Sequence, residues 1–313
     1  MKWQKLGHIF DPVSFGFFGD YSAFAQSPQT LVFDDFVRIY FSTREPDRDG
    51  TFKSHVRYVD MTSSFEMIEV STAPVIPLGK LGTFDEHGIF PFHVKRTDER
   101  IYGYTSGWSR RESVSVETGI GLAVSVDEGR TFERLGDGPV LSANVDEPFL
   151  VGDPFLFVKD KQYMYYIYGT TWKEGPDGVA ERTYKIALAT TDDGRTFVRH
   201  GRMIDDAIRD ESQALPTVFE AGDRYHMVFC FRDSFGFRDD PSRGYRLGYA
   251  YSHDLVNWTR DDASFGFERS ATGWDADMQC YPHVFEMNGR HYLLYNGNAF
   301  GRDGFGVAVL EEV

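Results

Sequence analysis

One pattern, repeated along the 313-residue chain, constrains the fold more than any other feature. Each copy has a proline, a short apolar segment, a polar turn and an aromatic segment. The prolines are separated by 63, 63, 62 and 66 residues, and they are Pro28, Pro91, Pro154, Pro216 and Pro282. Self-similarity at so regular a period is typical of repeat architectures, in which each copy is one structural unit.

Each copy predicts four antiparallel strands. The aromatic segment is followed by a third apolar segment, such as TGIGLAVSVD in the second copy. A short fourth segment then centres on an aromatic residue, which is Phe65, Phe132, Phe197 or Trp258. Four antiparallel strands per repeat describe a propeller blade, and no segment has helical periodicity over a useful length. The repeats begin near residues 21, 85, 147, 210 and 275.

The last copy reaches Val313 after its third strand and lacks a fourth. The first residues, MKWQKLGHIF, resemble the fourth-strand segments RTFERLGDGP and RTFVRHGRMI, with Trp3 at the aromatic position. We therefore predict an all-β fold, a single five-bladed propeller domain over residues 1–313. Strand 1–10 would complete the last blade and so remove an unpaired sheet edge.

Composition excludes several classes of function. Lys and Arg number 33 against 48 Asp and Glu, a net charge of −15, which argues against a nucleic-acid partner. No apolar run is long enough to span a membrane, and the first residues lack the apolar core of a signal peptide. We expect a cytoplasmic protein in which Cys230 and Cys280 are buried and reduced. The oligomeric state stays open.

Turns between the third and fourth strands carry a second motif. Residues 125–132, SVDEGRTF, match the Asp-box pattern S-x-D-x-G-x-T-F, residues 190–197 nearly repeat it, and Ser252-His253-Asp254 is a degenerate copy. A carboxylate in such a turn accepts hydrogen bonds from turn N–H groups, and glycine supplies a positive φ. We predict that these turns are structural.

The innermost strands of a propeller surround its axis, so the residues near each repeat's proline are the candidates for chemistry. Three acids lie five residues before a proline and one lies directly before it. If the strand is regular, these odd offsets share one face. The predicted catalytic residues are Glu86, Asp153, Glu211 and Asp277.

Polar and aromatic residues near the same rim are predicted to bind substrate. A guanidinium there suits a carboxylate or phosphate on the ligand, and indole rings stack on sugar faces. The alternatives are pairing with a neighbouring acid and packing between blades. These candidates are Asp20, Gln26, Arg44, His87, Trp108, Trp172, Gln213, Arg232, Gln279 and Asn296.

Several acids around one cleft suit glycosyl transfer. One carboxylic acid protonates the leaving oxygen, a second carboxylate activates water or attacks the sugar, and a third tunes its partners. The expected ligand is therefore a carbohydrate.

The repeat architecture and the run Gly152-Asp153-Pro154-Phe155-Leu156-Phe157 resemble the five-bladed propeller glycosidases, glycoside hydrolase families 43, 32, 68, 117 and 130. The run is similar to the D-P-x-x-F segment of families 43 and 32. The resemblance implies that Asp153 stabilises the transition state or modulates a partner's pKa. The closing run YNGNAFGRDGFGVAVLE also resembles family-32-like proteins encoded with bacterial polysaccharide biosynthesis genes.

The chain departs from that pattern at two catalytic positions. Ser27 stands where the first-blade acid is usual, and Ala214 and Cys280 stand where the later general acid is usual. Either Glu211, Asp277 and Glu86 substitute from shifted places, or the protein is a catalytically degenerate glycan-binding propeller. A sialidase-like enzyme is a further alternative, suggested by the Asp boxes and two rim arginines. A protein-interaction propeller lacks a WD or kelch signature.

No cofactor is expected, and no metal ligand is assigned. The resemblance leaves room for an axial calcium or sodium ion, with His87 and His283 nearby. Scattered histidines are a weak signal of a metal site.

Overall fold

The structure, a computed structural model, describes residues 1–17, 24–97, 100–175 and 178–313. Its strands are β1 (Lys2–Phe10), β2 (Gln26–Val32), β3 (Val37–Pro46), β4 (Phe52–Met61), β5 (Met67–Val70), β6 (Gly88–Arg96), β7 (Ile101–Arg110), β8 (Val116–Ser125), β9 (Glu133–Arg134), β10 (Val151–Val158), β11 (Gln162–Glu174), β12 (Ala180–Thr191), β13 (Val198–Arg202), β14 (Glu211–Ala221), β15 (Arg224–Asp233), β16 (Arg246–Ser252), β17 (Trp258–Arg260), β18 (Cys280–Met287), β19 (Arg290–Asn296) and β20 (Phe305–Glu312).

Helical structure in the described part of the chain is limited to single turns. Three are 3-10 turns and one, α1, lies between β19 and β20; they are Pro12–Phe15, Arg48–Gly50, Asp262–Ser264 and Asn298–Gly301. None of them is long and apolar enough to cross a membrane. The predicted all-β fold is confirmed.

The strands pair into four-stranded antiparallel units in chain order. Unit 1 is β2–β5, unit 2 is β6–β9, unit 3 is β10–β13 and unit 4 is β14–β17, while unit 5 combines β18–β20 with β1. A parallel pair between Ser54 and Gly88 joins units 1 and 2 into one eight-stranded sheet, so the count of five separate blades stays a prediction.

The units close into a ring around an axis. The first strands contact one another in the order β2, β6, β10, β14 and β18, and β18 contacts β2. The N-terminal strand β1 pairs antiparallel with β20, with Trp3 opposite Leu310 and Phe10 opposite Phe305. This is the pairing that the sequence predicts, and it leaves β20 without a free edge.

Each innermost strand is bulged at the repeated proline. The register slips by an extra residue across every X-Pro pair. Four residues before these prolines have φ between 49° and 55°, a region that costs energy for any residue but glycine; they are Ser27, Asp153, Leu215 and Tyr281. The fifth pair, Phe90-Pro91, is cis. The inner strands are therefore not regular. An odd number of residues between a side chain and the proline does not predict which face of the strand that side chain occupies.

The Asp boxes join neighbouring units. In the box of unit 2, Asp127 accepts from the backbone N–H of Thr131 at 2.9 Å and from its hydroxyl at 2.6 Å. Tyr40 of unit 1 donates to the Gly129 carbonyl of that box at 2.7 Å. The same tyrosine-to-box bond recurs from unit 2 to unit 3 and from unit 3 to unit 4. These contacts lie at the outer edge of the sheets, in keeping with a structural role.

The boxes make stability depend on acid pH. The N–H groups of Thr196 and Arg195 hold the pKa of Asp193 at about 2, below its ordinary 3.8. Its contribution is therefore complete above pH 4 and is lost as the pH falls toward 2. We expect Asp193→Asn to be less stable than wild type at pH 7 and to lose less stability between pH 4 and pH 2. Urea unfolding at several pH values measures this, with exposed Asp192→Asn as control. Parallel pH curves for wild type and Asp193→Asn would contradict the assignment.

Both cysteines are buried and free, as expected from the sequence. Cys230 and Cys280 lie in the largest apolar cluster, between units 3, 4 and 5. Burial raises the pKa of both thiols. They are packing residues here.

Candidate active site

Asp153 is a buried carboxyl group at the axis. It lies at the bulge of β10 and is 7% exposed. Its backbone N–H donates to Ser106 Oγ at 3.3 Å, and its Oδ2 accepts from the backbone N–H of Leu215 at 3.1 Å. Its Oδ1 has no hydrogen-bond partner among the described residues. This leaves one carboxyl oxygen for a ligand.

The environment of Asp153 favours its protonated form. Burial raises the pKa of Asp153 to about 7, although the Leu215 N–H and the charge of Arg182 act in the opposite direction. A carboxyl group that keeps its proton near neutral pH is suited to general acid catalysis.

Aromatic rings line the axial region on the same side. Phe90 of unit 2 and Tyr281 of unit 5 meet edge to face with centroids 5.2 Å apart. Tyr281 also contacts Tyr245 at 5.6 Å, and Phe300 of α1 lies 6.2 Å from Tyr245. An apolar floor of this kind suits the apolar faces of a sugar ring.

Two guanidinium groups near this floor lack a carboxylate partner among the described residues. Arg44 lies between the rings of Phe24 and Phe52, at 4.3 and 4.4 Å, and donates to Gln26 Oε1 at 2.9 Å. Burial lowers the pKa of Arg44, and the charge of Arg238 lowers it further. Arg182 donates to Ser115 Oγ at 3.1 Å. In a chain of net charge −15, these are unpaired positive charges close to the axis.

A different arrangement holds the buried acids that precede the inner strands. Glu211 is fully buried and accepts from Arg260 of β17, the fourth strand of its unit, at 2.7 Å. The same pairing of an acid with a cation of the fourth strand recurs in units 2, 3 and 5, as Asp85–Arg134, Glu147–Arg199 and Asp275–Lys5. The recurrence shows that these pairs anchor, to the sheets, the segments that lead into the innermost strands.

The anchoring pair argues against a catalytic role for Glu211, one of the predicted catalytic residues. Besides Arg260, its carboxylate accepts from Gln213 Nε2 at 2.8 Å and from the backbone N–H groups of Ala207 and Ile208. Four donors occupy this carboxylate, and no surface of Glu211 remains for a substrate. Its partner Gln213, predicted to bind substrate, is fully buried in the same network.

We expect Glu211→Gln to be a stability variant. Replacing one member of a buried ion pair leaves the other charge uncompensated, at a cost of about 3–5 kcal/mol. Glu220→Gln is the control, since that glutamate pairs with Lys159 at the surface and is 47% exposed. Urea unfolding measures both variants. Loss of turnover in Glu211→Gln with unchanged stability would restore its catalytic assignment.

Glu86 and Asp277 lie outside the inner strands, before β6 and β18 begin. Glu86 accepts from the Gly82 N–H at 2.5 Å and contacts His87 Nδ1 at 3.2 Å. The Asp277 carboxylate is exposed and makes no hydrogen bond with the described residues, while its backbone N–H donates to Asn298 Oδ1 at 2.8 Å. No contact among the described residues joins either acid to Asp153.

Three further predicted binding residues have internal partners, which argues against contact with a substrate. Gln279 Nε2 donates to Asp275, and Asn296 joins unit 5 to unit 1 through Ser27 N–H at 2.8 Å and the Ala25 carbonyl at 2.7 Å. Arg232 is 1% exposed, with its guanidinium 3.6 Å from the Phe237 ring centroid.

His87, Trp108 and Trp172 are partly exposed, whereas Gln26 is buried. His87 stacks on Trp108 with centroids 6.0 Å apart, and Trp172 lies under Arg182 at 5.8 Å. Gln26 bridges Arg44 and the Phe300 carbonyl. Asp20 lies outside the described residues.

The axis does not fit a calcium or sodium ion well. Calcium prefers six to eight oxygen ligands, whereas the described axial side chains near His283 offer imidazole nitrogens, an amide and a hydroxyl. No group of three or more His, Cys, Asp or Glu side chains that could hold a metal occurs among the described residues.

Sequence reasoning missed Arg182, Arg238 and Glu181. Arg238, in the β15–β16 connection, pairs with Glu181 of β12 and lies 4.1 Å from the Phe237 ring centroid. Glu181 and Arg182 lie on the third strand of unit 3, and Arg238 lies in a loop. The search for candidates near the repeated prolines covered neither segment. The run Glu181-Arg182, at the start of a third strand, is the signal that could have found them.

Solved structures share this fold. A structure described as "Glycoside hydrolase" matches with a TM-score of 0.76 at 17% identity, covering 99% of this chain and 92% of its own. An endo-arabinase from Bacteroides thetaiotaomicron matches with a TM-score of 0.64 at 12% identity, covering 98% of both chains. A β-1,2-mannobiose phosphorylase from Listeria innocua matches with a TM-score of 0.65 at 11% identity, covering 99% and 97%. The chain shares the fold of these structures.

Two proteins of Mycobacterium tuberculosis are similar over their whole length. "Uncharacterized protein MT1551" of strain CDC 1551 / Oshkosh and "Uncharacterized protein Rv1502" of strain ATCC 25618 / H37Rv are each 32% identical over 314 residues. The alignments cover 99% of this chain and 100% of theirs. The chain belongs to the family of these two proteins. No family model matches it.

Proposed function

We propose that the protein is a carbohydrate-active enzyme that cleaves a glycosidic bond with Asp153 as its proton donor. The observation that carries the proposal is the buried Asp153 carboxyl, with a pKa of about 7 and one oxygen free of hydrogen bonds to described residues. Protonating the leaving oxygen is the step that such a carboxylic acid performs in glycoside hydrolysis. The fold supports a carbohydrate as the substrate. It does not by itself support cleavage of a glycosidic bond.

Hydrolysis also needs a base for the attacking water. Among the predicted acids, Asp277 is the one whose carboxylate is exposed and unbonded in the described structure. We propose Asp277 for this role, with Glu86 as the alternative. Glu211 is not proposed, because its carboxylate is held by Arg260.

The substrate that we propose carries an anionic group. Arg44 and Arg182 present guanidinium groups without carboxylate partners among the described residues, and a sugar carboxylate or phosphate would pair with them. Because Arg232 is enclosed by aromatic rings, a sialidase-like cluster of arginines loses support. The free buried cysteines agree with the proposed cytoplasmic location.

A second candidate is glycan binding without turnover. The observation that favours it is that no contact among the described residues joins Asp153 to another predicted acid. Ser27 and Ala214 also stand at positions where the glycosidases that the chain resembles carry acids.

The test is a panel of nitrophenyl glycosides and natural oligosaccharides, assayed with and without inorganic phosphate, using wild type and Asp153→Asn. Turnover by wild type that falls about 10²–10⁴-fold in the variant supports an enzyme. Saturable binding by both proteins without turnover by either supports the glycan-binding candidate. Equal turnover by both proteins would exclude Asp153 as the proton donor.

Arg44 gives a test of the anionic group. We expect Arg44→Met to weaken binding of an acidic sugar about 10–100-fold and to leave a neutral analogue within about twofold, since a charge-assisted hydrogen bond contributes about 1.5–3 kcal/mol. Calorimetric titration measures both ligands. Arg209→Met is the control, because that side chain is 96% exposed. Equal weakening of both sugars would contradict the role of the charge.

A further inference from the structure

A cavity of about 450 Å³ opens along the axis at the end away from Asp153. Asp153 lies near the start of β10, whereas Phe155, Leu156 and Phe157 further along the same strand line the cavity. His93, Lys95 and His283 line it from β6 and β18. The proposed reaction at Asp153 uses none of these three side chains.

Lys95 brings a positive charge to this cavity. It follows His93 by two residues on β6, so that both side chains lie on the same face of the strand. Lys95 is half-buried, burial lowers its pKa, and it makes no hydrogen bond or ion pair with any described residue. An unpaired ammonium group in a partly buried place is costly unless an anion accompanies it.

His283 adds a hydrogen-bond donor. The backbone N–H of Thr30 donates to His283 Nε2 at 3.2 Å. A backbone N–H only donates, so Nε2 accepts, and the neutral ring carries its hydrogen on Nδ1. Burial lowers the pKa of His283 to about 3, which keeps the ring neutral at pH 7. This Nδ1–H is buried and has no hydrogen-bond partner among the described residues.

His93 faces His283 across the axis, with ring centroids 6.5 Å apart. Its Nδ1 contacts Gln29 Oε1 at 3.1 Å, and its Nε2 has no hydrogen-bond partner in the described part of the chain. Burial and then the neighbouring charges, including that of Lys95, lower the pKa of His93. Lys95 is therefore near both imidazoles.

The acids at the mouth of the cavity are engaged elsewhere. Glu220 pairs with Lys159 at 2.5 Å, and Glu286 lies 3.9 Å from His291. Neither forms an ion pair with Lys95. The cavity thus combines an unpaired cation with unsatisfied buried imidazole nitrogens and, among the described residues, has no counter-charge for that cation.

We propose that this axial cavity binds a small oxyanion, a phosphate or carboxylate group, between the Lys95 ammonium and the His283 Nδ1–H. The ammonium supplies the charge, and the Nδ1–H supplies a directed hydrogen bond to one oxygen. The site is separate from the one around Asp153 and does not depend on the proposed function.

Inorganic phosphate and acetate are the probes, each compared with sodium chloride at matched ionic strength. We expect one or both to raise the melting temperature saturably, by about 2 °C or more at ten times the dissociation constant. Nitrogen-correlated NMR of the imidazoles should show the His283 Nδ1 resonance moving with the same concentration dependence. The arm that responds identifies phosphate or carboxylate as the bound group.

Lys95→Met should abolish both responses, Lys95→Arg should retain them, and Lys80→Met, which removes an exposed lysine, should leave them unchanged. Lys95→Met should also melt at or above the wild-type temperature without anion, because it removes an unpaired charge. The proposal is overturned if neither anion exceeds the chloride effect in wild type, or if Lys95→Met responds as wild type does.

Discussion

Asp153→Asn is expected to be more stable than wild type above pH 7 and equally stable near pH 4. The folded protein holds the Asp153 proton up to a pKa of about 7, whereas the unfolded chain releases it near 3.8. Wild-type stability therefore falls as pH rises between these two values. A shift of about three pH units at about 1.4 kcal/mol each sets an upper bound of about 4 kcal/mol on the difference. Asparagine cannot ionise and keeps an oxygen for the Leu215 N–H.

Urea unfolding of both proteins between pH 4 and pH 9 measures this difference. The expected pattern is a gap that opens between pH 4 and pH 7 and stays constant above that. Asp277→Asn is the matched control, because its exposed carboxylate should open no such gap. A constant gap at all pH values would show that Asp153 titrates normally, and the proton-donor role would then lose its basis.

Stability gained with activity lost is the result that distinguishes a functional carboxyl from a structural one. A carboxyl group that is kept for catalysis in an unfavourable environment lowers the free energy of unfolding. The contrast with Glu211 is direct, since removing its charge is expected to destabilise the protein by breaking the pair with Arg260. The two substitutions therefore have opposite expected effects on unfolding at pH 8.

Deleting residues 1–10 is expected to prevent stable folding. The deletion exposes the edge of β20, removes the buried side chains of Trp3 and Phe10, and leaves Asp275 without Lys5. Each large aromatic side chain contributes about 3–5 kcal/mol and the unpaired buried charge costs a similar amount. The sum approaches or exceeds the about 5–15 kcal/mol that stabilises a typical protein.

Circular dichroism melting and size-exclusion chromatography measure the truncated protein. A synthetic peptide of residues 1–10 should restore the melting transition when added in trans, because it can pair with the exposed edge of β20 as β1 does. The same peptide with Trp3 and Phe10 replaced by alanine should fail to do so. An unchanged melting temperature in the truncated protein would contradict ring closure by β1.

The sequence by itself predicted the strand pattern, because each repeat carries the same order of apolar, polar and aromatic segments along the chain. Prolines about 63 residues apart located the inner strands, and the segments after them matched the observed third strands from β4 to β20. The closing strand was found because Trp3 repeats the position of Phe132. Asp153 was selected because it directly precedes a proline. The structure places this residue at the axis.

Only the tertiary structure decided which acids are held in ion pairs and which are not. Offsets from a proline assign faces only along a regular strand, and the bulge at each X-Pro pair breaks that alternation. The sequence did not show that Glu211 is held in an ion pair, because its partner Arg260 lies 49 residues away on the fourth strand and no local pattern predicts such a pair. Charge pairing depends on distances between segments that folding brings together, whereas strand formation depends on neighbours along the chain.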